Sequence, residues 1–583
     1  QEEYGIQNME GIIFNSRDRF TNSGMNMKNI RSNIIAAGIL CLSLGMTSCT
    51  KGFLDVESKT ESTTGNFYKT EQDAYRALLG CYDGYRRATC GSAVNFLVSA
   101  EVMGYECFGG SGASDGNGMR VTDRFDLSEM PSSTGSSWSG YYAGIYRCNE
   151  LITRENSIQW NETGSMHTQY MAECHAIRAF LYFDVVRQFG NIPLLTKPTD
   201  ENIPQADPAD VYKLIFDDLK FAIENIPANA YPKAESETND GKITKYACEA
   251  ILARAYLYYT GYYGQEPEGV TKADALAAVE DIISSGQYAL IPEYRRLWPA
   301  ACAQKAEVGD MTTLYGDYAG DGNNETVLTV KCTASVNWSG LDGNRWQVNI
   351  ALRTSTGVAP YAQGWGYATV NPKFVEEYED GDTRRTASVI DIKGEGLEDN
   401  QLVQTCIVQS QEYTGYYIKK YAPLAFADGT HAGMENGTGN LMISNHQDYV
   451  QVRYADVLLM AAELGSPNAQ QYFNMVRERA FKDKDGNTSP LYTEKQATKE
   501  NIMRERQFEF AFEGINYYDL LRQGIDYAAA QLAKQNGVEV MTAGAPATIS
   551  FNPQNFINKA GLMMVNTNQI LLSDGVLKQN PGW

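Results

Sequence analysis

The sequence predicts a mainly α-helical protein: tetratricopeptide-like helix pairs stacked as an α-α superhelix, carrying one large irregular, loop-rich lobe with short β segments. Three observations predict it. Apolar residues recur at helical spacing in successive segments before residue 288 and after residue 447. Several of these segments carry start and stop residues at the appropriate ends. Between residues 288 and 447 that periodicity lapses, and Gly, Asn, Tyr and Trp become dense. Helices with a single apolar stripe bury it against their neighbours, and stacking such pairs makes a continuous core. No clean repeat consensus is present, so the superhelix rests on the pattern of helices alone.

The chain opens with an address. Residues 1–24 precede Met25 and Met27 and are expected to lie upstream of the true start. Residues 25–48 read as a lipoprotein signal peptide, with Lys28 and Arg31 ahead of the apolar run 34–44 (IIAAGILCLSL). That run is well short of the ~20 residues a spanning helix needs. It ends in Met46-Thr47-Ser48-Cys49, which resembles a lipobox, so Cys49 is the expected acylation site. Cys41 follows Leu40, which is not small, and is the poorer candidate. Residues 49–70 then form a lipidated N-terminus and a tether rich in Ser and Thr.

Residues 71–287 are the predicted N-terminal scaffold. The first helix, 71–87, places Ala74, Leu78, Cys81, Tyr82 and Tyr85 at helical spacing. Residues 104–118 (GYECFGGSGASDGNG) are too glycine-rich for regular structure and are expected to be a functional loop. Helices follow at 141–153 and 169–189, the second stopped by Gly190 with Pro193 beyond. Asp207-Pro208 caps a helix through residue 226, and 244–263 with 272–285 make another amphipathic pair. In the irregular lobe, 288–447, short strands are expected at 326–332 and 347–353. Residues 448–583 return to helices at 448–464, 468–480, 499–512 and 517–522.

The 583 residues contain 49 Lys plus Arg against 71 Asp plus Glu, a formal charge of −22. That sign excludes a phosphate backbone as a natural partner. Of eleven cysteines, one leaves with the signal and one takes lipid. The rest are scattered without a CxxC pair and read as small buried thiols, notably Cys81, Cys148, Cys174 and Cys248. A pair such as Cys81 with Cys90 remains open to oxidation in an exported protein. Four histidines without HExxH offer no metallohydrolase site, and neither GxSxG nor a phosphate-binding loop occurs. Glu505, Glu509 and Glu513 form an i, i+4, i+8 stripe, better suited to an ion-pair ladder with Arg504 or Arg506 than to paired glycosidase carboxylates. Residues 321–325 and 483–487 faintly resemble calcium loops without the full ligand spacing. No catalytic residue, metal ligand or cofactor is expected, a structural calcium ion aside.

Aromatic clustering in the lobe is the positive signal. Trp298, Trp338, Trp346 and Trp365 are four of the seven tryptophans, and Tyr361 and Tyr367 lie among them. Flat rings flanked by amides and Arg suit sugars, whose C–H faces stack on the ring while hydroxyls bond to polar neighbours. The alternative for each ring is a place in the lobe's own core.

Several segments together resemble the SusD/RagB family of Bacteroidetes outer-membrane lipoproteins. Phe53-Leu54-Asp55 after Cys49 is similar to the family's start, and AECHAIRAFLYFDVVRQFGNIPLL (172–195) to its helix ending in G-x-x-P-L. TKYACEAILARAYLY (244–258) and VRYADVLLMAAE (452–463) match two further helices. RERQFEFAFEGINYYDLLRQG (504–524) resembles E-R-x-x-E-x-x-x-E-G-x-x-x-x-D-L-x-R-x-G. The resemblance implies a non-catalytic protein that captures glycan at the cell surface and delivers it to a SusC-like TonB-dependent β-barrel, anchored in outer-membrane lipid through Cys49. It also implies ligand-facing loops after the first helix and in the middle lobe. That nominates Phe108, Asp115, Trp298, Trp338, Trp346, Tyr361 and Trp365, and gives Glu505, Glu509, Glu513 and Asp519 a structural role bonding neighbouring helices. The alternatives are an oligopeptide-capturing member of the family, a surface glycoside hydrolase, or a barrel lid without a ligand. Thr50-Lys51-Gly52 lacks the acidic run of some surface lipoproteins, so an extracellular orientation rests on the family analogy.

Overall fold

The computed structural model describes residues 67–91, 96–116, 118–126, 133–231, 241–334, 343–435 and 440–583. Cys49, the signal segment and Trp338 lie outside the described residues. The helices that matter here are α1 (Glu71–Arg86), α2 (Phe96–Met103), α3 (Gly118–Arg124), α4 (Ser133–Arg154), α5 (His167–Phe189), α6 (Pro208–Asn225), α7 (Lys245–Tyr263), α8 (Lys272–Ser284), α9 (Arg345–Ile350), α10 (Tyr454–Glu463), α11 (Ala469–Arg479), α12 (Lys499–Glu509) and α13 (Asn516–Leu521). About 48% of the described residues are helical, which makes the fold mainly α. Among the described residues no helix is long and apolar enough to cross a membrane.

Local chemistry sets the helix ends. Thr70 and Asp73 form a reciprocal capping box at the start of α1, and Thr271 and Asp274 do the same for α8. Asp207 accepts a bond from the Ala209 amide with Pro208 in the first turn of α6. Gly264 takes the left-handed conformation that ends α7. Packing proceeds as a ladder: α1 on α4, α4 on α5, α5 on α6, α6 on α7, α7 on α8, α8 on α10, and α10 on both α11 and α12. α5 and α7 are buried around most of their circumference and form the middle of the stack. Where α1 crosses α4, a Cβ on Gly84 would sit 3.0 Å from the Gly144 Cα, so the absence of side chains sets how closely the two backbones meet.

Five two-stranded antiparallel ladders are recorded among the described residues. Those that bear on the site are β1 (Cys107–Gly110), β2 (Thr326–Val330), β3 (Tyr367–Val370), β4 (Val389–Asp391), β5 (Tyr416–Ile418), β6 (Tyr449–Arg453) and the hairpin β7 (Glu539–Thr542) with β8 (Ala545–Thr548). β1 pairs with β3, β2 with β6, and β4 with β5. Three local readings of the sequence change. The loop expected at 104–118 contains β1, whose four residues are all buried. The strand expected at 347–353 is instead α9, started by Asn344 accepting from the Trp346 amide. The helix expected from residue 448 begins only at Tyr454, because 449–453 pair with β2. That pairing joins the lobe to the C-terminal helices, and residues 67–583 form one compact unit.

Beneath the lobe is a buried ion network. Arg453 at the end of β6 reaches Glu325 (2.5 Å), Glu509 (3.0 Å) and Glu513 (2.8 Å). Arg479 of α11 pairs with Glu325 (2.6 Å) and with Glu509. Arg384 pairs with Asp382, Glu505 and Glu509, Arg477 with Glu379 and Glu505, and Lys420 with Glu513. The acidic stripe, Glu505 and Glu509 on α12 and Glu513 in the turn after it, is therefore neutralised by cations from four distant segments, not by Arg504 or Arg506. Arg504 pairs with Glu377, while Arg506 bridges Asp456 and Asp519. Burial works against ionisation of Glu509, yet Arg479, Arg453 and Arg384 outweigh it and hold its carboxyl down at about 2.

Candidate ligand-binding site

Of the sequence candidates, Asp115 and Trp365 come together at the surface. β1 ends at Gly110, where φ is +65° and the amide donates to Glu412 (3.1 Å). A Cβ there would lie 2.4 Å from the Gly366 carbonyl oxygen, so only glycine lets β1 and β3 close at this edge. The Ser111 amide then bonds that same carbonyl at 2.8 Å. The following turn is fixed by Asp115, which accepts from the Gly112 amide (2.8 Å), and by Gln411, which donates to the carbonyls of Gly112 (2.9 Å) and Asp115 (3.2 Å).

Arg353 joins the two strand ends. Its guanidinium lies 3.1 Å from Asp115 and donates to the Trp365 carbonyl, also at 3.1 Å. It packs flat against Gly112, where a Cβ would collide with it. The two side chains of the pair are 24% and 32% exposed, so both remain open to water and to a ligand. Trp365 is half-buried and meets the half-buried Tyr367 edge-on, with ring centroids 6.4 Å apart at 81°. The Tyr367 phenol is raised above its ordinary range by burial and then by the Asp115 carboxylate, with Arg353 opposing, so all three groups share one neighbourhood. An indole, a phenol, a guanidinium and a carboxylate, each partly exposed, are thus gathered on one stretch of surface. Such a surface can stack against one face of a ring while bonding to its hydroxyls.

Four other candidates are corrected by burial. Trp298 and Trp346 are 1% and 0% exposed. They pack on Tyr421 from two sides, at centroid distances of 5.3 and 4.3 Å. Trp298 also faces Lys420 at 5.0 Å and Arg453 at 5.6 Å, so its ring walls off the ion network. Tyr361 is buried in the lobe core and donates to Glu395 at 2.6 Å. Phe108 is buried against Val538, Val540 and Ile549, beneath the β7–β8 hairpin. None of these four rings can touch a ligand in this arrangement. Tyr367 already stood among the clustered aromatics of the lobe, whereas Arg353 carried no signal in the sequence.

The comparisons with known proteins agree with this architecture. Residues 324–583 match a family model described as the SusD family, and residues 114–257 match one described as starch-binding, associating with outer membrane. Over both stretches the chain is similar to the SusD family. SusD-like protein P38 of Formosa agariphila is 24% identical over 512 residues, covering 84% of this chain and 91% of that protein. Among solved SusD-family structures, a laminarin-binding SusD-like protein superposes with a TM-score of 0.65 at 25% identity, over 88% of this chain and 100% of that one. Surface glycan-binding protein A of Bacteroides thetaiotaomicron, in complex with laminarihexaose, gives 0.67 at 21% identity over 88% and 100%. The SusD-family model at 324–583 spans α12, so the 504–524 motif that resembles the family signature is the segment that supplies Glu505, Glu509 and Glu513 to the buried network.

Proposed function

We propose that the protein is a non-catalytic surface lipoprotein that captures an oligo- or polysaccharide on the Asp115–Arg353–Trp365–Tyr367 patch. It then delivers the glycan to a SusC-like TonB-dependent β-barrel. The observation that carries this reading is the partly exposed Trp365, whose carbonyl is tied to the open Asp115–Arg353 pair. The 25%-identical relative named for laminarin binding points to a β-glucan as the first ligand to try. Acylation of Cys49 would hold the protein at the outer membrane, where tethering beside the barrel raises the effective ligand concentration, so modest intrinsic affinity suffices. Trp338, outside the described residues, stays a candidate contact. A hydrolase built on Glu505, Glu509 and Glu513 is disfavoured, because all three are buried and ion-paired, and a general acid needs a raised, accessible carboxyl.

A second reading, oligopeptide capture, is favoured by one feature. A polar cleft of about 620 Å³ is lined by the amides of Asn501, Gln507, Asn516, Gln523 and Gln531 with Tyr527, and amides pair readily with peptide groups.

Native affinity electrophoresis of the soluble mature chain against a polysaccharide panel that includes laminarin, with product analysis of each incubation, separates these readings. Retardation without released sugars is the expected result. No retardation by any polysaccharide, together with binding of peptides that is lost in Gln507→Ala, transfers the function to the cleft. Released sugars overturn the non-catalytic reading.

A further inference from the structure

Cys81, Cys148 and Cys174 come from three different helices, α1, α4 and α5, and converge on one fully buried point. Their sulfurs all lie within 4.8 Å of one another. Cys81 and Cys174 are 3.9 Å apart, and the Cys174 thiol also faces the Cys148 carbonyl at 3.6 Å. Cys81 therefore faces these two thiols, whereas Cys332 is the thiol that neighbours Cys90. Three sulfurs sharing one ion at the usual zinc–sulfur length of about 2.3 Å stand ~4.0 Å apart in a planar array, so the observed spacing needs little adjustment.

Positive charge borders the cluster. Arg178, one turn beyond Cys174 on α5, is buried and held by Asp218 and Asn149. Arg147, next to Cys148, reaches the Gly80 carbonyl and Asp83. The close approach of α1 and α4 at Gly84 and Gly144, one turn from Cys81 and Cys148, holds the sulfurs together.

We propose that Cys81, Cys148 and Cys174 form a trithiolate site for a thiophilic d10 metal ion such as Zn(II) or Cu(I), which pins α1, α4 and α5 to one another. Soft thiolate ligands select such ions over hard oxygen-seeking ones. Because the sulfurs are sealed from solvent, loading accompanies folding, and binding free energy becomes folding free energy. On binding, each thiol that is still protonated releases its proton as its sulfur bonds the metal, and no oxidant is involved.

The test uses the mature chain with Cys49→Ser, refolded under reducing conditions with Cd(II) alone as the probe and then desalted. The expected result is one cadmium per chain, a thiolate-to-metal charge-transfer band and a raised unfolding temperature. Metal and band are lost in Cys148→Ser or Cys81→Ala and kept in Cys248→Ser, a buried thiol elsewhere. A folded parent protein that retains no cadmium overturns the proposal, with no need for any variant to fold. Equal retention in Cys148→Ser, or recovery of Cys81 and Cys174 joined as a disulfide, also overturns it.

Discussion

Glu509→Gln tests the buried network that supports the lobe. Glu509 is fully buried and pairs with Arg384, Arg453 and Arg479. Its carboxyl is held down at about 2, well below the 4.5 of a free glutamate. A depression of that size is worth about 3 kcal/mol, in line with the ~3–5 kcal/mol typical of removing one partner from a buried pair. A folded-state value below the unfolded one means this stability is present in full above about pH 4.5 and is lost as pH falls through about 2. Urea unfolding should therefore show the variant weaker by about 3 kcal/mol at pH 7. The gap should narrow to about 1.5 kcal/mol at pH 3, where the unfolded carboxyl is already protonated. A variant within ~0.5 kcal/mol of the parent at pH 7, or a gap that does not change with pH, would show that the Glu509 ion pairs do not stabilise the fold.

Trp346→Ala removes a ring with no exposure and should cost about 3–5 kcal/mol in unfolding experiments; any loss of glycan binding should follow the loss of folded protein. Gly110→Ala must place a Cβ at φ +65° and 2.4 Å from the Gly366 carbonyl. It should cost ~1–2 kcal/mol and raise hydrogen exchange at the Ser111 amide while leaving α5 and α7 protected. Asp115→Ala frees Arg353 from its partner and unties the Gly112 amide, so glycan affinity should fall several-fold with an unfolding temperature within about 1 °C of the parent, read by titration and thermal melt.

The helical scaffold was legible because its signals are local. Apolar spacing in 71–87, the Asp207-Pro208 cap and the Gly190 stop each act within a turn or two of chain, and the structure puts helices there. The strands were less legible, since β1 exists only by pairing with a distant segment (Cys107 with Val370, 263 positions away), and 449–453 carry the same apolar character whether they continue α10 or pair with β2. The tryptophans show the same limit. Composition marked the lobe as aromatic, but Trp298 is buried against Lys420, Arg453 and Tyr421 and Trp346 against Tyr421 and Tyr449, all from other segments, whereas Trp365 keeps partial exposure. Exposure is a property of the assembled lobe, and no single segment encodes it.

Calorimetric titration of laminarin oligosaccharides into the parent chain, Trp365→Ala and Arg353→Ala tests whether Trp365 and Arg353 form the glycan-contact face. Saturable binding by the parent and at least ~10-fold weaker binding by each variant, with unchanged melts, is the expected result. Parent-like affinity in Trp365→Ala would contradict it.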